Sequence, residues 1–91
     1  MRFDWDDEKA RRNLSQHRIS FAEAQTIFHD AFARIHDDPD HSDLEAREII
    51  VGHSAAKRLL LVSFVRRGET IRIISARKAN KKERFQYEEE I

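Results

Sequence analysis

The stretch RLLLVSFVRRGETIRIISAR, residues 58–77, decides the fold, because it contains two apolar segments joined by a tight turn. Residues 58–66 are apolar on both alternating faces, which is typical of a strand at the centre of a sheet. Gly68 lies in the turn, where a positive φ is often needed. We therefore predict an antiparallel hairpin formed by strands 58–66 and 70–77.

Further strands are predicted upstream of this hairpin. Residues 48–52 are β-rich and complete a meander, residues 3–5 alternate as in a short strand, and residues 31–36 are a further candidate. Residues 36–43 surround Pro39 with acidic and polar side chains, which predicts an exposed loop.

Helices are predicted at both ends of the chain. Asp6 is a suitable N-cap for a helix that ends at His17, and the Ser20 to Glu23 spacing fits a capping box that opens a second helix. Residues 78–91 favour a C-terminal helix with few apolar anchors. Together the elements predict one α+β domain over residues 1–91, in which an N-terminal helix pair packs on an antiparallel sheet of about four strands.

Composition excludes several classes of protein. The chain of 91 residues has no cysteine, and therefore neither a disulfide framework nor a thiolate zinc site. Its N-terminus is acidic where a signal peptide is apolar, and its longest apolar run is far shorter than a membrane span. We expect a cytoplasmic protein that makes no contact with a membrane.

The zero net charge hides an uneven distribution along the chain. Residues 1–56 carry a net charge of −5, residues 57–84 carry +8, and residues 85–91 carry −3. A segment at +8 attracts phosphate backbones or an acidic protein surface. Scattered, solvated lysines and arginines are the alternative interpretation.

Motifs for nucleotide cofactors and metals are absent or weak. With only two glycines, the chain has no phosphate-cradling loop or dinucleotide fingerprint. A metal site is conceivable in the loop that contains His36 and His41, but no histidine spacing matches a helix-borne ligand pair. We expect a solvated loop there, no metal and no cofactor.

The remaining reactive side chains are arginine, lysine, histidine, one tyrosine and carboxylates. Metal-independent RNA cleavage needs a base for the 2′-OH proton, an acid for the 5′-oxygen and cations that stabilise the phosphorane. These residue types supply all three requirements. The alternative is that arginines at strand ends only solvate a sheet edge.

Spaced motifs extend along nearly the whole chain: Phe3-x-Trp5-Asp6-x-x-Lys9-x-x-x-Asn13-x-x-x-His17-x-Ile19-Ser20-Phe21-x-Glu23-Ala24, then His41-Ser42 with Glu45 and Arg47, Gly52, Arg58 with Leu59, Val62 and Phe64, and Arg72-Ile73-Ile74-Ser75-Ala76-Arg77-x-Ala79 with Glu83-Arg84-x-x-Tyr87. In these motifs the chain resembles the BrnT toxin family. Gln16 and Ala22 depart from the residues that the family pattern favours, a lysine and a glutamate, and both departures concern contacts with RNA rather than the fold.

The resemblance implies a RelE-like fold and a ribonuclease that halts translation. It also implies a cognate antitoxin, whose DNA-binding part is similar to ribbon-helix-helix proteins and represses the shared promoter, so that promoter DNA is bound mostly through the antitoxin.

Five residues are the candidates for catalysis: Lys9, His17, Glu48, Arg66 and Arg77. Arg77 and Arg66 are the first candidates for binding the scissile phosphate. Lys9 and His17 are eight residues apart and share one face of the first helix. His17 is the candidate for proton transfer, because imidazole titrates near neutrality, and Glu48 is the alternative base.

Three more residues are candidates for binding nucleic acid. Arg72 and Arg84 would position phosphates, and Tyr87 would donate a hydrogen bond or stack on a base. Strand alternation predicts that Ile71 and Ile73 share a sheet face with Arg77.

Two other functions fit the same sequence. A non-catalytic module would hold RNA or DNA on its basic surface and regulate without cutting, and its affinity would depend on salt without turnover. A protein-interaction element would dock its basic half on an acidic helix, and its binding would persist without nucleic acid.

Overall fold

The computed structural model describes residues 1–38 and 45–89. In chain order the elements are β1 (Arg2–Asp4), α1 (Asp7–His17), α2 (Phe21–Thr26), a 3-10 turn (Ile27–His29), β2 (Arg34–Asp37), β3 (Arg47–His53), β4 (Leu59–Arg67), β5 (Thr70–Lys78) and α3 (Lys81–Glu89). Most of the predicted loop at residues 36–43, including Pro39 and His41, lies outside the described residues, as do residues 90 and 91 of the predicted C-terminal helix.

The strands form one five-stranded sheet in the order β1-β5-β4-β3-β2. Strands β2 to β5 pair antiparallel with their neighbours, as the meander predicts. Strand β1 pairs parallel with β5, with Arg2 opposite Thr70. The expected antiparallel sheet of about four strands is therefore wrong in two respects. The fifth strand and the mixed pairing arise because β1 joins the far edge of the meander instead of pairing with a sequence neighbour.

Helices α1 and α2 cover one face of the sheet, which we call the helix face. The core between them is apolar and fully enclosed, with Leu60, Val62 and Phe64 of β4 at 0% exposure. The opposite face, which we call the open face, is covered at one end by α3, where Tyr87 packs on Leu59 and Leu61. The central position predicted for β4 is correct, because both its faces are buried from Leu59 to Val65.

Helix α1 is held to the edge of β5 by one polar side chain. Asp6 caps the helix by accepting a hydrogen bond from the Glu8 backbone N–H at 3.1 Å. Asn13 is buried, and its amide donates to the carbonyls of Ile19 and Ala76 at 2.9 Å each. Its Oδ1 accepts the Ala76 N–H at 3.0 Å. Asn13 thus satisfies backbone groups of β5 that no strand pairs, because β1 covers only residues 70–72.

Helix α2 begins with half of the predicted capping box. The Ser20 hydroxyl accepts the Glu23 N–H at 3.0 Å, as the motif predicts. The Glu23 carboxylate does not return to Ser20. It binds the guanidinium of Arg58 and accepts the Ser54 hydroxyl at 2.7 Å, and the hydrogen bonds from Arg58 lower the pKa of Glu23. Glu23 therefore ties the β3–β4 turn to α2.

A β-bulge in β5 changes which side chains reach the open face. Ser63 pairs with Ser75, but the next residue, Phe64, pairs with Ile73, so Ile74 is an extra residue without a partner on β4. Ile73 faces the helices, whereas Arg77 lies opposite Leu61 on the open face. The predicted shared face for Ile73 and Arg77 is wrong, because the extra residue shifts the alternation by one.

No helix in residues 1–38 and 45–89 is long and apolar enough to cross a membrane.

Candidate functional site

A cavity of about 340 Å³ opens on the middle of the open face. Its floor is formed by Ile49, Leu61 and Ser63, which lie on the central strands β3 and β4. Arg47 and Arg77 lie at its walls, in the two rows of the sheet that flank the row formed by Ile49, Ser63 and Ser75. Ser75 and the carboxylates of Asp38 and Glu83 complete the lining, so the cavity has two guanidinium groups, two serine hydroxyls and two carboxylates. The guanidinium groups are the side chains here that suit an anion.

The Ser63 hydroxyl is buried without a hydrogen-bond partner among the described residues. Ser63 is 6% exposed, and its Oγ is almost fully shielded from solvent. Such a group costs free energy, because it loses its hydrogen bonds to water and gains none in the fold. Ser63 lines the cavity, so a ligand oxygen bound next to its Oγ would supply the missing partner.

Arg77 is held in place by Glu83 at the start of α3. Arg77 Nη1 and Nη2 donate to the two carboxylate oxygens at 2.9 and 2.8 Å. The same carboxylate accepts the Asn80 N–H at 2.9 Å, and the Glu83 N–H donates to Asn80 Oδ1, so α3 begins with a reciprocal cap. Hydrogen bonds from Arg77 lower the pKa of Glu83. Arg77 Nη1 also donates to the Lys78 carbonyl at 3.2 Å, so both Nη atoms are engaged within the fold.

A second groove, of about 210 Å³, adjoins the cavity at Ser75. Its walls are Lys9, Arg12 and His17 from α1, together with the bulge residue Ile74. The predicted pair Lys9 and His17 therefore lies on one side of α1, beside the bulged edge of β5. Because Ser75 borders both depressions, the basic face of α1 continues into the cavity that holds Arg77.

Glu48 and Arg66 lie elsewhere. They sit beside Phe64 on the helix face, where Arg66 donates to Glu48 at 2.7 and 3.3 Å and its guanidinium is 5.7 Å from the Phe64 ring centre. Arg77 is on the open face, so the structure does not bring Arg66 and Arg77 together. The register explains the separation, because Arg66 pairs with Ile71 next to the hairpin turn, whereas Arg77 pairs with Leu61.

The predicted nucleic-acid-binding residues are also in different environments. Arg72 lies 3.3 Å from Asp4 of β1 in an ion pair. Arg84 is exposed on α3. Tyr87 is 4% exposed, which leaves little of its ring to stack on a base.

The Tyr87 hydroxyl fastens α3 to the body of the domain. It donates to Asp30 Oδ2 at 2.7 Å and lies 3.2 Å from His53 Nδ1. Burial would raise the pKa of Asp30, but hydrogen bonds from His53 N, Phe32 N and Tyr87 outweigh it and lower that pKa. Gly52 leaves room for the carboxylate, because a Cβ there would be 3.2 Å from Asp30 Oδ2.

The attachment of α3 is expected to weaken in alkali. Burial and the hydrogen bond to Asp30 raise the pKa of Tyr87 from 10.0 to about 12. A raised pKa contributes stability that is complete below the ordinary value and is lost as pH rises through the folded value. Between pH 10.0 and about 12, unfolding free energy should fall by about 2 kcal/mol more in the wild type than in Tyr87→Phe.

Tyr87 is the only tyrosine in the chain, so its tyrosinate absorbance reports its titration directly. A midpoint at the ordinary value, or the same alkaline stability loss in Tyr87→Phe, would contradict this attachment.

Three residues of the cavity were not predicted as functional: Arg47, Ser63 and Ser75. The sequence holds a signal for one of them, because Ser63 is the single polar residue in the apolar run from Leu59 to Val65. The other two become recognisable only when the sheet register and the bulge are known. Within residues 1–38 and 45–89, no group of three or more histidine, aspartate or glutamate side chains is placed to hold a metal ion.

Comparison with known proteins agrees with this architecture. The family described as "Ribonuclease toxin, BrnT, of type II toxin-antitoxin system" matches residues 5–83. The crystal structure of the Brucella abortus ribonuclease toxin BrnT superposes with a TM-score of 0.68 at 23% sequence identity, covering 89% of this chain and 99% of that chain. No curated protein sequence matches the chain.

An α+β domain with three helices on a five-stranded mixed sheet, matched by a family of this description, defines the class of ribonuclease toxins of type II toxin-antitoxin systems. Within that class, the chain belongs to the BrnT family. The family resemblance found in the sequence is thereby confirmed. Membership implies RNA as the substrate and an antitoxin as a partner.

Proposed function

We propose that this protein is an endoribonuclease that cleaves RNA on the open face of its sheet, without a metal ion. The observation that carries the proposal is the buried, unpaired hydroxyl of Ser63 between Arg47 and Arg77. A scissile phosphate in this cavity would accept hydrogen bonds from both guanidinium groups and from Ser63. Charge-assisted hydrogen bonds of this kind are among the strongest in proteins.

Residues along α1 are suited to hold the RNA that flanks the scissile phosphate. Lys9 and Arg12 contribute positive charge in the groove next to the cavity, and His17 supplies an imidazole there. In this proposal Arg77 stabilises the phosphorane, whereas His17 transfers a proton to or from the RNA.

Other candidates receive structural roles in the proposal. Glu48 and Arg66 neutralise each other on the helix face, and Tyr87 secures α3. Arg84 is exposed on α3 and fits a role in phosphate positioning. Arg72 contributes positive charge on the open face despite its pairing with Asp4.

The proposal is tested by incubating the purified protein with a defined RNA, with and without EDTA, and identifying the ends of the fragments. We expect cleavage in both conditions and a 2′,3′-cyclic phosphate at each new end, because the 2′-OH is the nucleophile. The Arg77→Ala variant, purified in parallel, controls for contaminating ribonucleases. RNA that is retained in a low-salt shift assay but stays intact would instead support the non-catalytic binding module.

Replacing Ser63 should separate activity from stability. In Ser63→Ala, cleavage is expected to slow about tenfold, because a hydrogen bond to a charged phosphate is lost. The same change removes an unpaired buried hydroxyl and should raise the free energy of unfolding by about 1 kcal/mol. Single-turnover cleavage and urea denaturation measure the two effects. A variant that loses stability and keeps its cleavage rate would exclude Ser63 from the site.

The cellular setting is proposed from the family. We propose that cleavage inhibits translation in the cytoplasm, that a cognate antitoxin neutralises the toxin, and that promoter DNA is bound through a ribbon-helix-helix-like part of the antitoxin. A RelE-like ancestry of the fold is part of the same proposal. Expression of the wild type should arrest growth, and Arg77→Ala should not. Growth arrest by both proteins to the same extent would contradict toxicity by cleavage.

A further inference from the structure

A larger cavity, of about 380 Å³, lies beside the proposed phosphate site, between α3 and strands β2 and β3. The two cavities share Ile49, Leu61 and Glu83. The two cavities are therefore neighbours on the open face, separated by no more than the residues that they share.

The floor and the rim of the larger cavity differ in chemistry. Ile49, Val51 and Leu61 form an apolar floor. The rim carries His36 from β2 and Gln86 from α3, both exposed to solvent. A flat apolar floor with hydrogen-bonding groups around it suits a ring that is apolar on its faces and polar at its edge.

We propose that this cavity binds one nucleobase of the RNA, next to the phosphate that is cleaved, and that Gln86 reads the edge of that base. The inference rests on the proposed ribonuclease function. Single-stranded RNA is recognised by bases that leave the stack, lie on a protein surface and hydrogen-bond through their edges. A base adjoins its own phosphate, as this cavity adjoins the cavity between Arg47 and Arg77.

Gln86 is suited to this role because its amide makes no hydrogen bond to a described residue, so it presents two donors and two acceptors to a ligand. Asn80 at the same cavity already accepts the Glu83 N–H through its side-chain oxygen. The position of Gln86 is fixed by the next residue, Tyr87, which anchors α3 through Asp30. The Gln86 amide is therefore available to a base, while the backbone that carries it is held in place by Tyr87.

The test uses short RNA oligonucleotides that are 2′-O-methylated and so resist cleavage, each with a single abasic position. In the wild type, the abasic change is expected to weaken binding about tenfold at one position, because that base loses its contact surface. In Gln86→Ala, the loss of affinity caused by the abasic change at that position should fall to about threefold. Only the contact with the apolar floor then favours the intact RNA over the abasic RNA. His36→Ala, on the opposite side of the cavity, should act in the same direction.

Gln25→Ala is the matched control, because Gln25 lies on α2 and the same side chain is removed far from the cavity. It should keep the tenfold penalty. Equal penalties at all positions in the wild type, or an unchanged penalty in Gln86→Ala, would overturn the base site while leaving RNA cleavage intact. Failure of the wild type both to bind any oligonucleotide and to cleave unmodified RNA would overturn the proposed function, and the base site with it.

Discussion

An Arg77→Ala variant is expected to cleave RNA at least about 100-fold more slowly than the wild type, because it removes a fixed cation from the transition-state charge. The Glu83 carboxylate also loses its partner at the edge of the cavity and then repels the phosphate. Arg77→Lys should recover only part of the rate, because an ammonium group cannot make the paired hydrogen bonds of a guanidinium.

The matched control is Arg84→Ala, which removes the same side chain from an exposed position on α3. It should weaken RNA binding modestly and change the single-turnover rate at saturation by less than about threefold. Single-turnover rates and equilibrium affinities distinguish the two variants. If Arg77→Ala lowers affinity and rate only in proportion, the open face is a binding surface rather than a catalytic one.

An Asn13→Ala variant is expected to lose about 3 kcal/mol of unfolding free energy, because it leaves three buried backbone groups without partners. These groups are the Ala76 N–H and the carbonyls of Ala76 and Ile19. For a domain of this size, the corresponding fall in Tm is roughly 15 °C. Calorimetry and urea denaturation measure the loss.

Gln16→Ala provides the comparison, because Gln16 is exposed on the same helix and alanine favours helix formation. Its stability should lie within about 0.5 kcal/mol of the wild type. Equal stabilities of the two variants would mean that the edge of β5 is satisfied without Asn13.

Local patterns in the sequence predicted most of the elements. Asp6 and Ser20 cap α1 and α2 as predicted, because N-capping depends only on the next few residues. The apolar run of β4 placed it at the centre of the sheet, since burial on both faces follows from composition alone. The family resemblance, which depends on spaced motifs along the chain, is also confirmed.

Long-range geometry was not predictable in the same way. The extra residue Ile74 in β5 is apolar like Ile73 before it, so residue type gives no sign of the bulge that turns Arg77 to the open face. The parallel pairing of β1 with β5 joins residues that are far apart in the sequence, so no local pattern indicates it. Glu23 has the spacing of a capping box, but its carboxylate accepts a hydrogen bond from Arg58, which lies far away in the sequence.

The candidate site shows the same division. The sequence predicts Arg77, Lys9 and His17 as site residues, and they line two depressions that meet at Ser75. Arg66 and Glu48 are predicted with them, but they pair with each other on the helix face, away from Arg77. Residue type indicated which side chains carry suitable chemistry. Which of these side chains share a surface depends on the register of β4 with β5 and on the bulge, and residue type indicates neither.

The pairing of Arg2 with Thr70 has a consequence for the newly made chain. Strand β1 is synthesised well before β5, the strand with which it pairs in the described part of the sheet. The hydrogen bonds of Asn13 to Ala76 span 63 positions and wait for the same strand. Contacts this distant close slowly, because the intervening chain must be ordered first. The basic groove between α1 and β5 therefore forms only after β5 has been synthesised.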